Sequence, residues 1–484
     1  MSEFREKATK GLFWSFVDNS ANQIIQFVTS IILARLLTPR EFGLIGMLTI
    51  FIAISQSFID SGFSSALIRK KNCSQEDYST IFYFNLLVSV LFCLLLIAFS
   101  GSISRFFNEP QLKDLLIIFS LGLIINAFGI IQRTELTKRI DFNLQMRVSV
   151  ISAIISGIIG ITLAYKGYGV WSLVAKTLAG YLITSLLLWL WNGWRPLFVF
   201  RINSLSELFS FGSKILVTGI INTFFQNLYL LVIGRVYSAV DLGFFTRADQ
   251  FKSLPQQNLT KVIERVSFPL LSEIQEDDQK LKSSFRKLLK NAMFISFLLM
   301  FVLSAVSKAL VITLIGEKWI VSVSYLQWLC FAGVLYPMQS LNRNIMMVKN
   351  RSDLILRIEI VKKFLFVPVI LIGVLISLKA MIISLVMYGI IESFLDSYYS
   401  GRLVQYSLKS QVKDILPYFF VGALVGLITF SIGQVNIHYE LIVLVIQIIV
   451  AFATTILVSE LFGIKEYLEY KQIFQDKIIK SGAN

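Results

Sequence analysis

Long apolar stretches separated by short polar segments run along almost the whole chain. About 20 apolar residues in a row are what an α-helix needs to cross the hydrocarbon core of a bilayer. We therefore predict an all-α polytopic membrane protein. The apolar stretches lie at 11–34, 42–68, 79–100, 114–131, 148–165, 168–191, 209–234, 292–315, 324–342, 362–378, 380–400, 415–433 and 439–462.

One further segment, 242–271, is too polar for a hydropathy window but is predicted to span the membrane. If it spans and the N-terminus is inside, Lys and Arg are about threefold more frequent on the inside connections, which include Arg133, than on the outside ones. If it does not span, the most basic loops face outward, against the positive-inside rule. We therefore predict about 14 transmembrane helices with both termini in the cytoplasm. The alternative is a helix that lies flat on the membrane surface.

An internal repeat supports the same count. Residues 34–43 (ARLLTPREFG) align with residues 234–243 (GRVYSAVDLG), and each run follows an apolar span. Farther along, Arg133 and Arg147 align in the same order with Arg343 and Arg357. The copies are six spans apart, so both have the same orientation in the membrane, and transporters often bind cargo between such halves.

The repeat predicts two pseudo-twofold-related six-helix lobes plus two C-terminal helices. The C-terminal tail, which is polar and rich in Lys, is predicted to form a helix on the cytoplasmic surface of the membrane. The predicted domains are 1–200 (helices 1–6), 201–402 (helices 7–12), 403–463 (helices 13 and 14) and 464–484 (the tail).

Composition excludes several classes of protein. Of the 484 residues, 55% are hydrophobic and only 15% are charged, which rules out a soluble enzyme, a disordered chain and a fibrous protein. One His and three widely spaced Cys form no ligand pattern, so we expect no metal or other cofactor. The net charge of +15 is better explained by positive-inside topology and contact with anionic phospholipids than by nucleic acid. Phosphate-binding loops and nucleophile–base pairs are missing from the sequence, so we do not expect an enzyme.

The first span carries a polar stripe that is expected to face protein or a wet cavity. Its members recur at helical spacing and therefore share one side of the helix. Two readings stay open, namely hydrogen bonding between helices and the lining of a cavity. The candidate lining residues are Asp18, Asn19, Asn22, Gln23 and Gln26 in this span, with Gln56, Gln226 and Asn227 in two others.

Charged residues inside predicted spans are the candidates for chemistry, because burying a charge in the bilayer is costly. Four cations in the segment 242–271 predict a cationic cavity wall that holds phosphate, namely Arg247, Lys252, Lys261 and Arg265. The candidate carboxylates for coupling to a proton or sodium ion are Asp60, Asp249, Glu392 and Asp396. Asp60 is as readily explained by pairing with a Lys or Arg. Lys176, Lys214 and Lys308 are further basic candidates, but an ammonium that reaches the membrane interface explains any of them.

Three sequence blocks resemble the Wzx-type polysaccharide flippases, closest to the lipopolysaccharide-biosynthesis or colanic-acid-exporter branch. The blocks are Ile32–Phe51 (ILARLLTPREFGLIGMLTIF), Asp60–Asn72 (DSGFSSALIRKKN) and Leu242–Asp277 (LGFFTRADQFKSLPQQNLTKVIERVSFPLLSEIQED). This branch belongs to the multidrug/oligosaccharidyl-lipid/polysaccharide exporter superfamily. The resemblance implies two six-helix lobes, alternating access and a cargo of undecaprenyl-pyrophosphate-linked oligosaccharide. Movement from the cytoplasmic to the outer leaflet would serve surface polysaccharide biosynthesis.

The charge of the predicted chamber distinguishes a flippase for an anionic cargo from a transporter for a cationic one. A cation-coupled multidrug efflux antiporter of the same superfamily is the alternative, but its cargo is usually cationic and would call for an acidic chamber. The segment 242–271 is net basic, which favours an anionic cargo. The expected partners are therefore the lipid-linked oligosaccharide, membrane phospholipids and a polysaccharide polymerase or export machinery. The expected location is the cytoplasmic (inner) membrane.

Overall fold

The computed structural model describes residues 2–60, 62–435 and 439–481, and their regular secondary structure is helical throughout. This confirms the predicted all-α class. A short 3₁₀ turn, Glu317–Trp319, precedes α11. The α-helices are α1 (Ser2–Leu36), α2 (Pro39–Asp60), α3 (Phe63–Arg69), α4 (Gln75–Phe107), α5 (Gln111–Arg139), α6 (Phe142–Tyr165), α7 (Val170–Trp191), α8 (Ile202–Val236), α9 (Ala239–Glu273), α10 (Asp278–Ile315), α11 (Ile320–Gly333), α12 (Tyr336–Val348), α13 (Ser352–Leu375), α14 (Leu378–Leu403), α15 (Leu408–Ile432), α16 (Glu440–Leu461) and α17 (Lys465–Ser481).

Eleven helical segments of the described chain are long and apolar enough to cross a membrane. They are α2 with α3, α4, α5, α6, α7, the part of α8 from Gly212, α10, α11 with α12, α14, α15 and α16. The helices α1, α9 and α13 match three more predicted spans in position but are not among the eleven. The protein is thus a multi-pass membrane protein, and the number of fourteen spans stays a prediction.

Two predicted spans are broken in the structure. The span predicted at 42–68 divides into α2 and α3, and α3 starts after Gly62, whose backbone is left-handed (φ 69°). A side chain at Gly62 would also meet the carbonyl oxygen of Gly212 at 2.7 Å. Glycine is therefore required here both by its dihedral angle and by the close approach of another helix. The span predicted at 324–342 likewise divides into α11 and α12, with a proline in the first turn of α12.

The chain forms two compact units, Met1–Gly243 and Phe244–Asn484. In the first unit α1 packs against α6, α6 against α7, and α5 against both α4 and α7. In the second unit α10 packs against α11 and α15, α13 against α14, and α14 against both α11 and α12. The first six-helix lobe, with a boundary near residue 200, stays a prediction.

The repeated sequences meet each other inside the first unit. A methyl group at Gly43 would collide with the carbonyl oxygen of Ala239, and one at Gly243 would collide with that of Pro39. In the alignment of 34–43 with 234–243, Gly43 matches Gly243 and Pro39 matches Ala239. The two contacts are therefore reciprocal.

Candidate functional site

A polar cavity of about 550 Å³ lies in the first unit between α1, α5, α6 and α7. Three residues of the predicted stripe on α1 line it, Asp18, Asn22 and Gln26. They are four residues apart, so at a rise of about 1.5 Å per residue the stripe extends for about 12 Å along the helix. Other polar residues that line the cavity are Arg133, Gln145, Ser149, Ser152, Ser156, Lys176, Thr177, Tyr181 and Thr184.

Asp18 is held in place by neighbours on α1 and α6. Its Oδ1 accepts hydrogen bonds from Asn22 Nδ2 at 2.7 Å and from the hydroxyl of Ser149. Asn22 Nδ2 also lies 2.8 Å from Ser149 Oγ. Both readings of the polar stripe therefore apply, since the same side chains bond neighbouring helices and line the cavity.

Asn19 and Gln23 do not take part in this lining. Asn19 is exposed, and its Nδ2 donates to the carbonyl oxygen of Ser15 at 2.8 Å within α1. Gln23 is half-buried and is not among the residues around the cavity. Asp18, Asn22 and Gln26 therefore line the cavity, whereas Asn19 and Gln23 do not.

A second cavity of about 340 Å³ lies next to the first and shares Arg133 with it. Gln56 and Asp60 of α2 line this cavity together with Asn126, Thr134 and Thr137 of α5. Gln56 Nε2 donates to Tyr181 Oη at 3.0 Å, which links the two cavities. Asp60 Oδ1 accepts from Ser64 Oγ at 2.5 Å, so its observed partner is a hydroxyl.

Arg133 is the cation common to both cavities. Its side chain is exposed to them, and within the described residues its guanidinium forms no ion pair and donates no hydrogen bond. Asp18 interacts with it only electrostatically. The sequence predicts Arg133 in a cytoplasmic connection because the apolar run ends at 131, whereas α5 continues to Arg139. Its alignment with Arg343 was the one signal that could have found it.

Lys176 adds a second cation at the other end of the α1 stripe. Its Nζ donates to Gln26 Oε1 at 3.0 Å, and its side chain is half-buried on the wall of the larger cavity. Lys176 therefore belongs to the lining of the larger cavity. Gln26 is eight residues from Asp18, so cations stand near both ends of the stripe.

The four predicted cations of α9 all lie in the second unit. Lys252 Nζ pairs with Asp249 Oδ1 at 2.8 Å, and Asp249 Oδ2 accepts from Ser253 Oγ at 3.3 Å. Arg247 is half-buried, whereas Lys261 and Arg265 are exposed one turn apart. The cationic wall on α9 stays a prediction.

The carboxylates predicted on α14 lie in different surroundings. Asp396 is buried and its Oδ2 lies 2.8 Å from Lys362 Nζ of α13, while Glu392 is half-buried one turn earlier.

On α8, Gln226 is exposed and Asn227 Nδ2 donates to the carbonyl oxygen of Thr223 at 2.8 Å. In the described part of the chain no three His, Cys, Asp or Glu side chains come close enough to hold a metal ion. The single histidine, His438, lies outside the described residues.

Comparison with known proteins decides the family. Residues 32–324 match the family model described as polysaccharide biosynthesis protein. The chain belongs to this family. The match covers all three resemblance blocks, so the predicted relationship is confirmed.

Relatives resemble this chain over most of its length. The chain is 29% identical over 375 residues to the lipopolysaccharide biosynthesis protein WzxC of Escherichia coli, covering 76% of this chain and 75% of the relative. It is 24% identical over 458 residues to the teichuronic acid biosynthesis protein TuaB of Bacillus subtilis, covering 91% and 92%. A succinoglycan biosynthesis transport protein of Rhizobium meliloti, ExoT, is 26% identical over 330 residues, covering 68% and 67%.

Solved structures support the fold of this family member. The lipid II flippase MurJ in an inward closed conformation superposes with a TM-score of 0.76 at 15% identity, covering 93% of this chain and 98% of that one. An inward-facing multidrug transporter of the MATE family gives a TM-score of 0.63 at 15% identity, covering 79% and 94%. At such identities these structures establish a common transporter fold and leave the cargo to be argued from the cavity.

Proposed function

We propose that the protein is a flippase that moves lipid-linked oligosaccharide repeat units across the cytoplasmic membrane by alternating access. The cargo is an undecaprenyl-pyrophosphate-linked oligosaccharide, which passes from the cytoplasmic to the outer leaflet for surface polysaccharide biosynthesis. Relatives named for lipopolysaccharide, teichuronic acid and succinoglycan biosynthesis support this assignment, as does the fold shared with a lipid II flippase.

The observation that carries the proposal is Arg133. A guanidinium in a spanning helix is costly unless it has a partner, and within the described residues Arg133 has none in direct contact. Its planar fork of donors suits the oxygens of a phosphate or diphosphate. An anionic cargo in the cavity would therefore supply the missing partner, while Asp18 limits the net positive charge.

The neutral lining suits the sugar part of the cargo. Amide and hydroxyl groups of Asn22, Gln26, Ser149, Ser152 and Thr184 can exchange hydrogen bonds with sugar hydroxyls. The prenyl chain needs no such shielding and stays in lipid. The cavity thereby replaces the hydration that the head group loses in the bilayer.

Electrostatics gives the direction of movement. A membrane potential that is negative inside favours an anion moving outward by about 2.3 kcal/mol per charge per 100 mV. A diphosphate with two charges would gain roughly 5 kcal/mol, which is enough to drive flipping without another ion. Coupling to a proton or sodium ion through Asp18, Asp60, Asp249 or Glu392 remains a separate proposal.

The remaining assignments follow from this function. We place the protein in the cytoplasmic membrane with both termini in the cytoplasm, and its two six-helix lobes would alternate in access. Arg247, Lys252, Lys261 and Arg265 would supply further cations for the diphosphate. A polysaccharide polymerase or export machinery would receive the product, because a translocated repeat unit has to be joined to others.

Native mass spectrometry of the gently purified protein tests the proposal. We expect a co-purifying polyprenyl-pyrophosphate glycolipid that is lost in Arg133→Ala and retained in Arg105→Ala. Arg105 is a matched control because it is exposed at the end of α4 and, among the described residues, its guanidinium bonds only to Gly101 and Ser102 of the same helix. Bulk phospholipid alone, together with saturable binding of an added organic cation, would instead indicate a multidrug transporter.

A further inference from the structure

The second unit contains a fully buried ion pair that joins α13 to α14. Lys362 Nζ lies 2.8 Å from Asp396 Oδ2, and both side chains are only 2% exposed. Lys362 and Asp396 lie on two helices predicted to span the membrane. Removing two charges from water is costly, so the pair persists only because each charge compensates the other.

Further charges surround the pair and share one carboxylate. Glu359 Oε1 lies 3.5 Å from Lys362 Nζ and 3.3 Å from the Arg343 guanidinium, and its Oε2 lies 3.9 Å from Lys363 Nζ. Glu359 is thus divided between three cations, whereas Asp396 depends on Lys362 alone among its salt-bridge partners in the described residues. The charge that Asp396 requires is therefore a single positive one.

The helix interface beside the pair is polar and already satisfied. Asn342 Nδ2 of α12 donates to Ser397 Oγ of α14 at 3.1 Å, and Gln339 Nε2 donates to Ser393 Oγ at 3.0 Å. The hydroxyl of Ser400 donates to Asn342 Oδ1. These groups fix the position of α14 and hence of Asp396, independently of the lysine.

We propose that the Lys362 ammonium is a tethered counter-ion that occupies a buried monovalent-cation site formed by Asp396 and Glu359. Removing the lysine side chain leaves both carboxylates in place, together with the space that the ammonium and its methylene chain filled. A small free cation then fills that space. In the wild-type protein the site is closed to exchange, so Asp396 does not bind a coupling ion.

The test compares the apparent Tm of wild type, Lys362→Ala and Lys363→Ala in chloride salts of ammonium, methylammonium, sodium and choline at equal ionic strength. Choline serves as the control for screening because it is too large for the site. In choline, we expect the apparent Tm of Lys362→Ala to be roughly 5–10 °C below that of the wild type. At least half of the loss should return, saturably, with ammonium or sodium. Wild type and Lys363→Ala, whose lysine is the more exposed neighbour, should show no such dependence.

A second variant separates the site from a general effect of salt. Lys362→Ala/Asp396→Asn removes the carboxylate that needs the cation, so its Tm should be the same in all four salts. If Lys362→Ala does not survive purification in choline, the yield of monodisperse protein purified in ammonium chloride becomes the readout. Equal behaviour of Lys362→Ala in choline and ammonium, or a saturable cation effect on wild type, would overturn the proposal.

Discussion

Arg133 of the first unit and Arg343 of the second occupy matching positions in the internal repeat, yet their surroundings differ. Arg133 is exposed to two cavities and has no ion pair in the described chain. Arg343 lies 3.3 Å from a carboxylate oxygen of Glu359. The arginine at matching positions is thus available to a ligand in one unit and paired with a carboxylate in the other.

The difference arises from the helix that follows each arginine. The offset that aligns Arg133 with Arg343 also aligns Ser149 and Ser152 of α6 with Glu359 and Lys362 of α13. The two serines line the larger cavity, where Ser152 Oγ donates to the carbonyl oxygen of Gly180 and accepts from Thr184 Oγ1, each at 2.8 Å. Glu359 and Lys362 instead form ion pairs. Short neutral side chains leave room for a cargo, whereas charged ones join the helices.

The largest expected effect concerns stability at the matching positions 152 and 362. In choline chloride, Lys362→Ala leaves Asp396 buried without its counter-ion and should lower the free energy of unfolding by about 3–5 kcal/mol. Ser152→Ala removes one hydroxyl and should lower it by only about 1 kcal/mol. Denaturant titration followed by tryptophan fluorescence measures both. Equal losses would show that the lysine pair is no more important than the hydroxyl pair.

The next effect concerns transport and the two arginines. Arg133→Ala should reduce the initial rate of glycolipid flipping about 100-fold, because a charged hydrogen-bond donor to the cargo is worth up to about 3 kcal/mol. The rate of Arg133→Lys should lie between those of the wild type and Arg133→Ala, because lysine keeps the charge but lacks the planar set of donors of the guanidinium. Arg343→Ala should change the rate less than about threefold, because Arg343 already pairs with Glu359. Rates in inverted membrane vesicles, normalised to protein amount, decide whether the two arginines differ.

A smaller effect is expected when a feature of the second unit is moved into the first. Ser149→Glu places a carboxylate where Glu359 stands in the repeat, so it should capture Arg133 and lower the flipping rate about tenfold. Ser149→Gln has nearly the same size without the charge and should lower the rate less. The same vesicle assay applies. If both substitutions lower the rate equally, filling of the cavity and not pairing of Arg133 is the cause.

The smallest effect is expected at Thr184. Thr184→Val removes the hydroxyl that donates to Ser152 Oγ, but Ser152 keeps its bond to Gly180. We expect a loss of about 0.5–1.5 kcal/mol of unfolding free energy and less than a twofold change in flipping. A transport loss as large as that of Arg133→Ala would mean that this hydroxyl, and not the arginine, determines cargo binding.

The sequence predicted much of the fold because apolar length is a local property. The apolar runs are helical, two of them divided between two helices, and the repeat of 34–43 at 234–243 appears as reciprocal contacts at Gly43 and Gly243. The break at Gly62 was missed, since hydropathy does not register a left-handed turn. The site was predicted less well. Asp18, Asn22 and Gln26 line a cavity, whereas Arg133 was assigned to a loop because the apolar run stops before it.

The sequence by itself determined that this is a helical multi-pass membrane protein of the polysaccharide biosynthesis family, because span length, composition and motif blocks need no knowledge of neighbouring helices. Only the tertiary structure decided which buried charges have partners. Lys362 and Asp396 are 34 residues apart and pair across two helices, while Arg133 reaches cavities bounded by helices distant in sequence. Pairing depends on distances between helices, and those are set by packing of the whole unit.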